Sequence, residues 1–398
     1  MNYAPELIGV GRYSGELGAY LAKTGMEVDV VTTAPHYPGW KVKEPYASFA
    51  YVSETVDGAH VLRCPMLMST EMRGIWRVLA PLSFAAFSAP AALWRILRRR
   101  PQTVLAVEPT LLIAPVALLG ARLVGARTVL HVQDLEVDAA FAVGHLSAGW
   151  LKRLGLWFER MLLHRFDAVI TISDEMGARL RAKGVAEDRL AIVRNWVDVR
   201  KIVPLAGPNA FRSELGLGDD DHVVLYSGNI GAKQALNIVL EAAETLQDEP
   251  RTVFVIAGDG PEKKALQARF GQLKNVRFLP LQPEEKLCEL LNLADLHLLP
   301  QDRNAADLVL PSKLGGMLAS GRDILACADP GTEIYKFLQD VAIIVPSGNS
   351  GAMADAIRRH AQADRRPVTQ AHAKVALLDA SVNLRRFAAL LTNGAPCA

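Results

Sequence analysis

The chain is poor in the features that would place it outside the ordinary globular class. Its four cysteines, Cys64, Cys288, Cys327 and Cys397, show no metal-like or paired spacing. They read as small buried apolar residues in a reducing compartment. Net charge is only +2, so no global excess of one sign points to nucleic acid. The N-terminus lacks a basic stretch followed by an apolar one, so no secretory signal is expected. The uncharged stretch Val78 to Trp94 falls short of the roughly twenty apolar residues of a membrane span and is broken by Pro81, Ser83, Ser88 and Pro90. The first helical pattern, through Leu17, Tyr20 and Leu21, also lacks a strand before it.

What is present is an alternation. Half of the 398 residues are apolar and 22% are charged, enough for two domains with ample cores. In the first half, strand patterns at Met26–Thr33, Ala59–Cys64, Thr103–Glu108, Ala126–Val132 and Asp167–Ser173 are separated by helical ones, notably Trp150–Phe166 and Asp174–Lys183. In the second half, strands are expected at His222–Tyr226, Thr252–Ala257, Val276–Leu279, Leu296–Leu299, Asp323–Ala326 and Ala342–Val345. Helices are expected between them at Ala232–Leu246, Pro261–Phe270, Glu284–Leu293, Ser312–Ala319 and Thr332–Leu338. Such alternation means parallel sheets covered on both faces. The expected fold is α/β: two doubly wound, Rossmann-like domains, with strand ends facing across a cleft. Residues 1–200 form the first, 201–375 the second, and 376–398 a C-terminal helix packing back toward the first. In a doubly wound sheet the first strand is normally central. Either the true start lies upstream of Met1, which is the favoured reading, or the domain lacks that strand and leaves its neighbours with unpaired backbone groups.

Leu225 to Leu236 (LYSGNIGAKQAL) is the most informative stretch. A buried strand ends in Gly228 and Gly231, which permit a tight turn. A helical face of Leu236, Val239, Leu240 and Ala243 follows at once. Strand, glycine turn and helix point free backbone N–H groups at an anion, and Lys233 adds a full positive charge. The competing reading is a plain turn with a surface lysine. Ligands of such sheets bind at the carboxyl ends of strands. Those ends here carry Gly228-Asn229, Gly258-Asp259-Gly260-Pro261, Leu279-Pro280-Leu281, and Gln301, Asp302 and Arg303. The last loop runs on through Asp307, Val309 and Leu310 to Pro311-Ser312-Lys313, entering a second helix. Any one lysine is more often a surface charge. Lys233, Arg303 and Lys313 at adjacent strand ends point together to a diphosphate site.

The stretch Val78–Trp94 is flanked by Arg73 and Arg77 on one side and by Arg95, Arg98, Arg99 and Arg100 on the other. The preferred reading of Val78–Arg100 is a peripheral membrane patch, with apolar side chains dipping into the bilayer and arginines on anionic headgroups. The alternative is a helix buried on the sheet, followed by a solvated basic tail.

Several stretches carry a family resemblance: Asn2–Gly11 (NYAPELIGVG), Thr128–Asp138 (TVLHVQDLEVD), Asn195-Trp196, Tyr226–Gln234 (YSGNIGAKQ), Ala305–Leu314 (AADLVLPSKL) and Ala319–Gly321. Over nearly its whole length the chain resembles the GT-B glycosyltransferases of family 4, and more narrowly the colanic-acid-type fucosyltransferase subgroup of bacterial exopolysaccharide synthesis. That resemblance implies a nucleotide-sugar donor, GDP- or UDP-linked, held mainly by the second domain, with GDP-fucose suggested by the nearest subgroup. It implies a lipid-diphosphate-linked saccharide acceptor on the first domain, at the inner face of the plasma membrane. It implies retention of anomeric configuration without metal or cofactor. Carried onto this sequence, the Gly9–Gly11 loop lies against the donor diphosphate or the acceptor, because only glycine lets backbone come so close. Lys233 pairs with the diphosphate. Gly258, Gly260 and Leu281, with their neighbours, hold the nucleobase through backbone groups. Asp307, Val309 and Leu310 hold the sugar hydroxyls and phosphate.

The sequence departs from the family at several points. The second of two family glutamates falls on Gly316, Asp307 is the acidic residue nearest the first, and the usual arginine after Gly228 is Asn229. The usual histidine at the end of a first-domain strand is Gln133, beside Asp134. His131 lies on the same side of the strand as Gln133, and Asp134 or Glu136 is placed to orient the acceptor hydroxyl. The expected catalytic set is Asp134, Lys233 and Asp307. Two rival functions share the architecture: a soluble nucleotide-sugar 2-epimerase, which has no use for the Val78–Arg100 patch, and a non-catalytic nucleotide-sugar-binding scaffold.

Overall fold

The computed structural model describes residues 1–6, 9–37, 39–42, 44–69, 76–135, 149–249, 251–302, 310–363 and 371–392. The chain forms two compact units, Met1–Asn195 with Asn383–Ala398, and Trp196–Val382.

The first unit runs α1 (Gly9–Lys23), β1 (Asp29–Thr33), β2 (Val52–Val56), β3 (Ala59–Cys64), α2 (Trp76–Arg99), β4 (Thr103–Glu108), α3 (Ala114–Val124), β5 (Arg127–Val132), α4 (Gly149–Leu163), β6 (Ala168–Thr171), α5 (Asp174–Ala182) and β7 (Leu190–Ile192). The single parallel sheet expected here is two sheets. One has the order β1-β3-β2, with β2 antiparallel to β3. The other is the parallel sheet β4-β5-β6-β7. Among the described residues no strand joins β1 to β4, so the sheet divides where the central strand of a doubly wound fold would lie. Met1 serves part of the open edge of β1. Its carbonyl accepts from the Thr33 N–H at 3.2 Å and from the Thr32 hydroxyl at 2.6 Å. Arg63 is buried in the smaller sheet, donating to the Thr33 carbonyl (3.0 Å), the Ala4 carbonyl (2.8 Å) and Glu54. A buried guanidinium persists only where its donors are matched in this way.

The second unit runs α6 (Ala210–Glu214), β8 (His222–Ser227), α7 (Leu236–Thr245), β9 (Thr252–Ala257), α8 (Lys263–Phe270), β10 (Val276–Leu279), α9 (Leu287–Asn292), β11 (Leu296–Leu299), α10 (Leu314–Ala319), β12 (Asp323–Cys327), α11 (Glu333–Leu338), β13 (Ile343–Val345), α12 (Ser350–Gln362) and α13 (Ala371–Leu377). Its strands are all parallel, in the order β10-β9-β8-β11-β12-β13. Near-continuous apolar runs such as His222–Ser227 and Thr252–Ala257 suit strands covered on both faces, and every residue of β9 is buried. Strand order reverses between β8 and β11, neighbours in the sheet but not in sequence. That reversal is the topological switch point, whose carboxyl side is the ligand crevice in this class of sheet.

The last helix, α14 (Ala380–Thr392), returns most of its length to the first unit. Its Leu391 carbonyl accepts from the Thr103 hydroxyl at 2.8 Å, and its Leu390 carbonyl accepts from Arg127. Phe387 meets the ring of His131 edge-on, centroids 4.8 Å apart.

Candidate functional site

The loops after β8 and β9 touch backbone to backbone, and glycine is what permits it. Gly228, Gly258 and Gly260 have φ of +144°, +149° and +156°. A Cβ at Gly258 would stand 1.9 Å from the Gly228 carbonyl oxygen, and one at Gly260 2.3 Å from that of Ile230. The loops are tied by Ile230 N–H to the Asp259 carbonyl (2.8 Å) and by Glu262 N–H to the Ile230 carbonyl (3.1 Å). Lys263, which sequence reasoning passes over, clamps two strand ends: its ammonium donates to the carbonyls of Gly258 (2.7 Å) and Leu279 (3.3 Å). A lysine three residues after Gly260 was the only signal for it. The N–H groups of Asn229 and Gly231 have no hydrogen bond among the described residues. Two free amides in one tight loop are the elements of an anion nest.

Lys313 reaches the same loop from the segment that follows β11. Its ammonium lies 4.0 Å from the centroid of the Tyr226 ring, and a Cβ at Gly228 would stand 3.5 Å from its Cδ. The residue as a whole is half-buried, but its ammonium is sealed from solvent, with no hydrogen-bond partner among the described residues. Burial of that end pushes its pKa down from 10.5 to about 7. The ring face compensates only part of the lost hydration. Tyr226, also missed from the sequence, is fixed by donating to the Asn229 carbonyl, and burial pushes its phenol pKa up. A buried cation without a counter-charge is costly in a fold. Beside free amides and close-packed glycines, it is poised for an anion.

The other expected site residues scatter more. Lys233 is exposed. It sits on a short 3₁₀ turn, Ala232–Gln234, and not at a helix mouth, because Ala235 takes φ +46° and α7 starts only at Leu236. Its carbonyl accepts from Asp302 N–H at 3.0 Å, so the loops after β8 and β11 are nonetheless joined. Asn229 is exposed and donates to Gln234 at 3.3 Å. Leu281 is exposed beyond the end of β10, and Leu310 packs against the core around α10. Ser312 is exposed, and Lys313 is the N-cap position of α10, a helix of only 6 residues. Arg303, Asp307 and Val309 lie outside the described residues, as does Glu136 in the first unit.

In the first unit, Gly9 and Gly11 belong to the first turn of α1 rather than to a loop. A Cβ at Gly11 would stand 2.4 Å from Oε2 of Glu6. That buried carboxylate accepts from the N–H groups of His36 and Tyr37, each at 3.0 Å, and from Asn2 at 2.9 Å. Burial, the largest influence, pushes the pKa of His36 down. Asp134 is exposed just beyond the carboxyl end of β5. Gln133 beside it is buried and accepts from Asn195 at 3.5 Å. Burial pushes His131 down to about 3, so the ring is neutral at any ordinary pH and serves as packing against Phe387.

The fold is that of the GT-B glycosyltransferases. Sucrose-phosphate synthase from Thermosynechococcus elongatus superposes with a TM-score of 0.72 at 17% identity, covering 96% of this chain and 92% of that one. Anabaena HepE in complex with UDP-glucose gives 0.63 at 15% identity, covering 92% and 100%. Residues 9–196 match the glycosyl transferase 4-like domain, and residues 221–363 match glycosyl transferases group 1. WcaI of Escherichia coli (strain K12), whose name makes it a glycosyl transferase of colanic acid biosynthesis, is 40% identical over 370 residues, 90% of each chain. The chain therefore belongs to the family 4 GT-B glycosyltransferases, alongside the colanic-acid type.

Proposed function

We propose that this glycosyltransferase moves a sugar, with retention of configuration, from a nucleoside diphosphate donor to a lipid-linked saccharide in exopolysaccharide assembly, at the inner face of the bacterial plasma membrane. The second unit binds the donor and the first unit binds the acceptor. The observation that carries the donor site is the buried ammonium of Lys313 against Tyr226 and Gly228, next to the amides of Asn229 and Gly231, none of which has a hydrogen-bond partner among the described residues. As the sugar–oxygen bond breaks, charge accumulates on the departing diphosphate. Fixed donors aimed at that charge supply most of the acceleration. Lys313 and the loop amides act there first. Exposed Lys233 closes on the outer phosphate, with Arg303 and the Asp307, Val309 and Leu310 segment completing the cradle. These cations come from the chain itself, so the reaction as proposed runs without metal.

The acceptor hydroxyl loses its proton late, to a leaving phosphate oxygen, with Asp134 orienting it. The likeness to WcaI, named for colanic acid biosynthesis, supports the exopolysaccharide reading, and GDP-fucose is the first donor to test on the resemblance to fucosyltransferases. The experiment is a panel of labelled GDP- and UDP-sugars incubated with a lipid-diphosphate saccharide. One donor should give acceptor-dependent nucleotide release. Donor conversion to a free 2-epimer, or binding with no turnover of any donor, would contradict the proposal.

A further inference from the structure

Helix α2 turns its uncharged side outward. Val78, Leu82, Ala86, Pro90 and Trp94 recur at every fourth position and are all exposed, with Leu97 on the same side. Ala80, Phe84, Ser88 and Ala92 are buried on the opposite face. Ordinary surface helices do the reverse. The outer stripe stays apolar for about four turns, until Arg98, Arg99 and Arg100 close the helix. Because the helix runs on through both prolines, Val78–Arg99 is long and apolar enough to cross a bilayer by length and composition. Its inner face, however, packs Ala80 and Phe84 into a core with Cys64 and Met66, which favours lying along a membrane over spanning it. Apolar ground continues on both flanks. Phe49, 62% exposed, lies edge-on to Phe87 with centroids 5.2 Å apart, and exposed Tyr51 donates to the Phe87 carbonyl at 2.8 Å. On the other flank α3 approaches Ile96 through Gly120, where a Cβ would stand 2.8 Å from Ile96 Cδ1, and leaves Leu119 and Leu123 exposed.

At the basic end lies a cavity of about 540 Å³ lined by Ser53, Trp94, Arg95, Arg98 and Arg99. Arg95 is held in place by Asp29 (2.6 Å), and Arg99 by Asp29 (3.4 Å) and Glu27 (2.8 Å). Arg98 has no ion pair among the described residues. Asp29 is the first residue of β1, so the cavity sits toward the amino end of that strand. Substrates of doubly wound sheets bind at carboxyl ends, so within the first unit this cavity lies away from the substrate end.

We propose that the α2 face seats on a bilayer and that the cavity takes the phosphate of an anionic phospholipid headgroup. This rests on the membrane part of the proposed function and gives it a ligand. Arg98 and the Ser53 hydroxyl donate to the phosphate oxygens, the two anchored arginines supply field, and Trp94 lies at the depth where tryptophan concentrates in membranes. The apolar stripe inserts between acyl chains while the arginines meet the anionic leaflet. The occupant is a lipid rather than a second copy of the chain because the stripe ends in cations whose complement is an anionic surface.

The test is sedimentation of the full chain with vesicles of phosphatidylcholine alone or mixed with phosphatidylglycerol. Binding should appear on the mixed vesicles and be weak on the neutral ones. Arg98→Gln should lower partition about fivefold, and Arg100→Gln, outside the cavity, by less. Nucleotide-induced thermal shifts, read in the same variants, should stay at the wild-type value. Equal binding to both vesicles, equal loss in the two variants, displacement by inorganic phosphate beyond that by chloride of the same ionic strength, or a dimer abolished by Leu82→Ser without vesicle binding would each overturn it. Vesicle binding without sugar transfer would sink only the donor site.

Discussion

Lys313 changes charge within the working pH range, which makes it the most informative residue of the site. Its pKa of about 7 lies far below 10.5. Between those values the unfolded chain holds a proton that the folded, unliganded chain has lost. The stability contributed by this group therefore rises as pH rises through that window. Diphosphate binding needs the ammonium, so affinity moves the opposite way. The dissociation constant for GDP or UDP should increase by up to about tenfold per pH unit above 7, with net proton uptake measurable by calorimetry in buffers of different ionisation enthalpy. His131, pushed to about 3 and packed on Phe387, has no charge to change. Replacing it with Gln should lower the melting temperature while leaving the shape of the pH–rate profile intact. Asp134→Asn should instead cut transfer by about 10²-fold and spare nucleotide affinity, as expected of a carboxylate that handles the acceptor hydroxyl. At this scale the sequence was only partly legible. Lys233 and Lys313 read alike as basic residues beside strand ends. Burial separates them: one is exposed, while the ammonium of the other is sealed against an aromatic ring.

The strands of the second unit were readable because strands buried on both faces must be apolar throughout, as in Val223-Val224-Leu225-Tyr226. The short antiparallel β2 (VSETV) escaped notice because its exposed positions alternate and it lies at a sheet edge. The break between the β8 turn and α7 escaped for another reason: it depends on Ala235 in a left-handed conformation, which composition does not announce. The glycine turns were legible as turns, but not as a contact between two loops. That contact predicts a graded result. Gly258→Ala drives a Cβ into the Gly228 carbonyl at φ +149°. It should cost about 3 kcal/mol or more and abolish nucleotide binding. Gly348→Ala, at φ +81° with open space around it, carries only the ~1–2 kcal/mol penalty of the left-handed region. Denaturant midpoints of the two variants check the difference.

For the molecule as a whole, membership of the GT-B glycosyltransferases was legible from motifs spread along the chain, and the likeness to WcaI over 90% of both chains agrees with it. The switch point was not legible, because it is created by β8 pairing with β11, and pairing order is a property of the assembled sheet. With β9 paired to the other side of β8, the loop after β8, the loop after β9 and Lys313 come together in one place. As proposed, this place holds the donor's diphosphate. Calorimetric titration of GDP and UDP into the wild-type chain and into Lys313→Met tests it most directly. The better nucleotide should lose about 10²-fold or more in affinity, while the unliganded variant should melt higher than wild type because a buried ammonium has been removed. Unchanged affinity in a folded variant would contradict it.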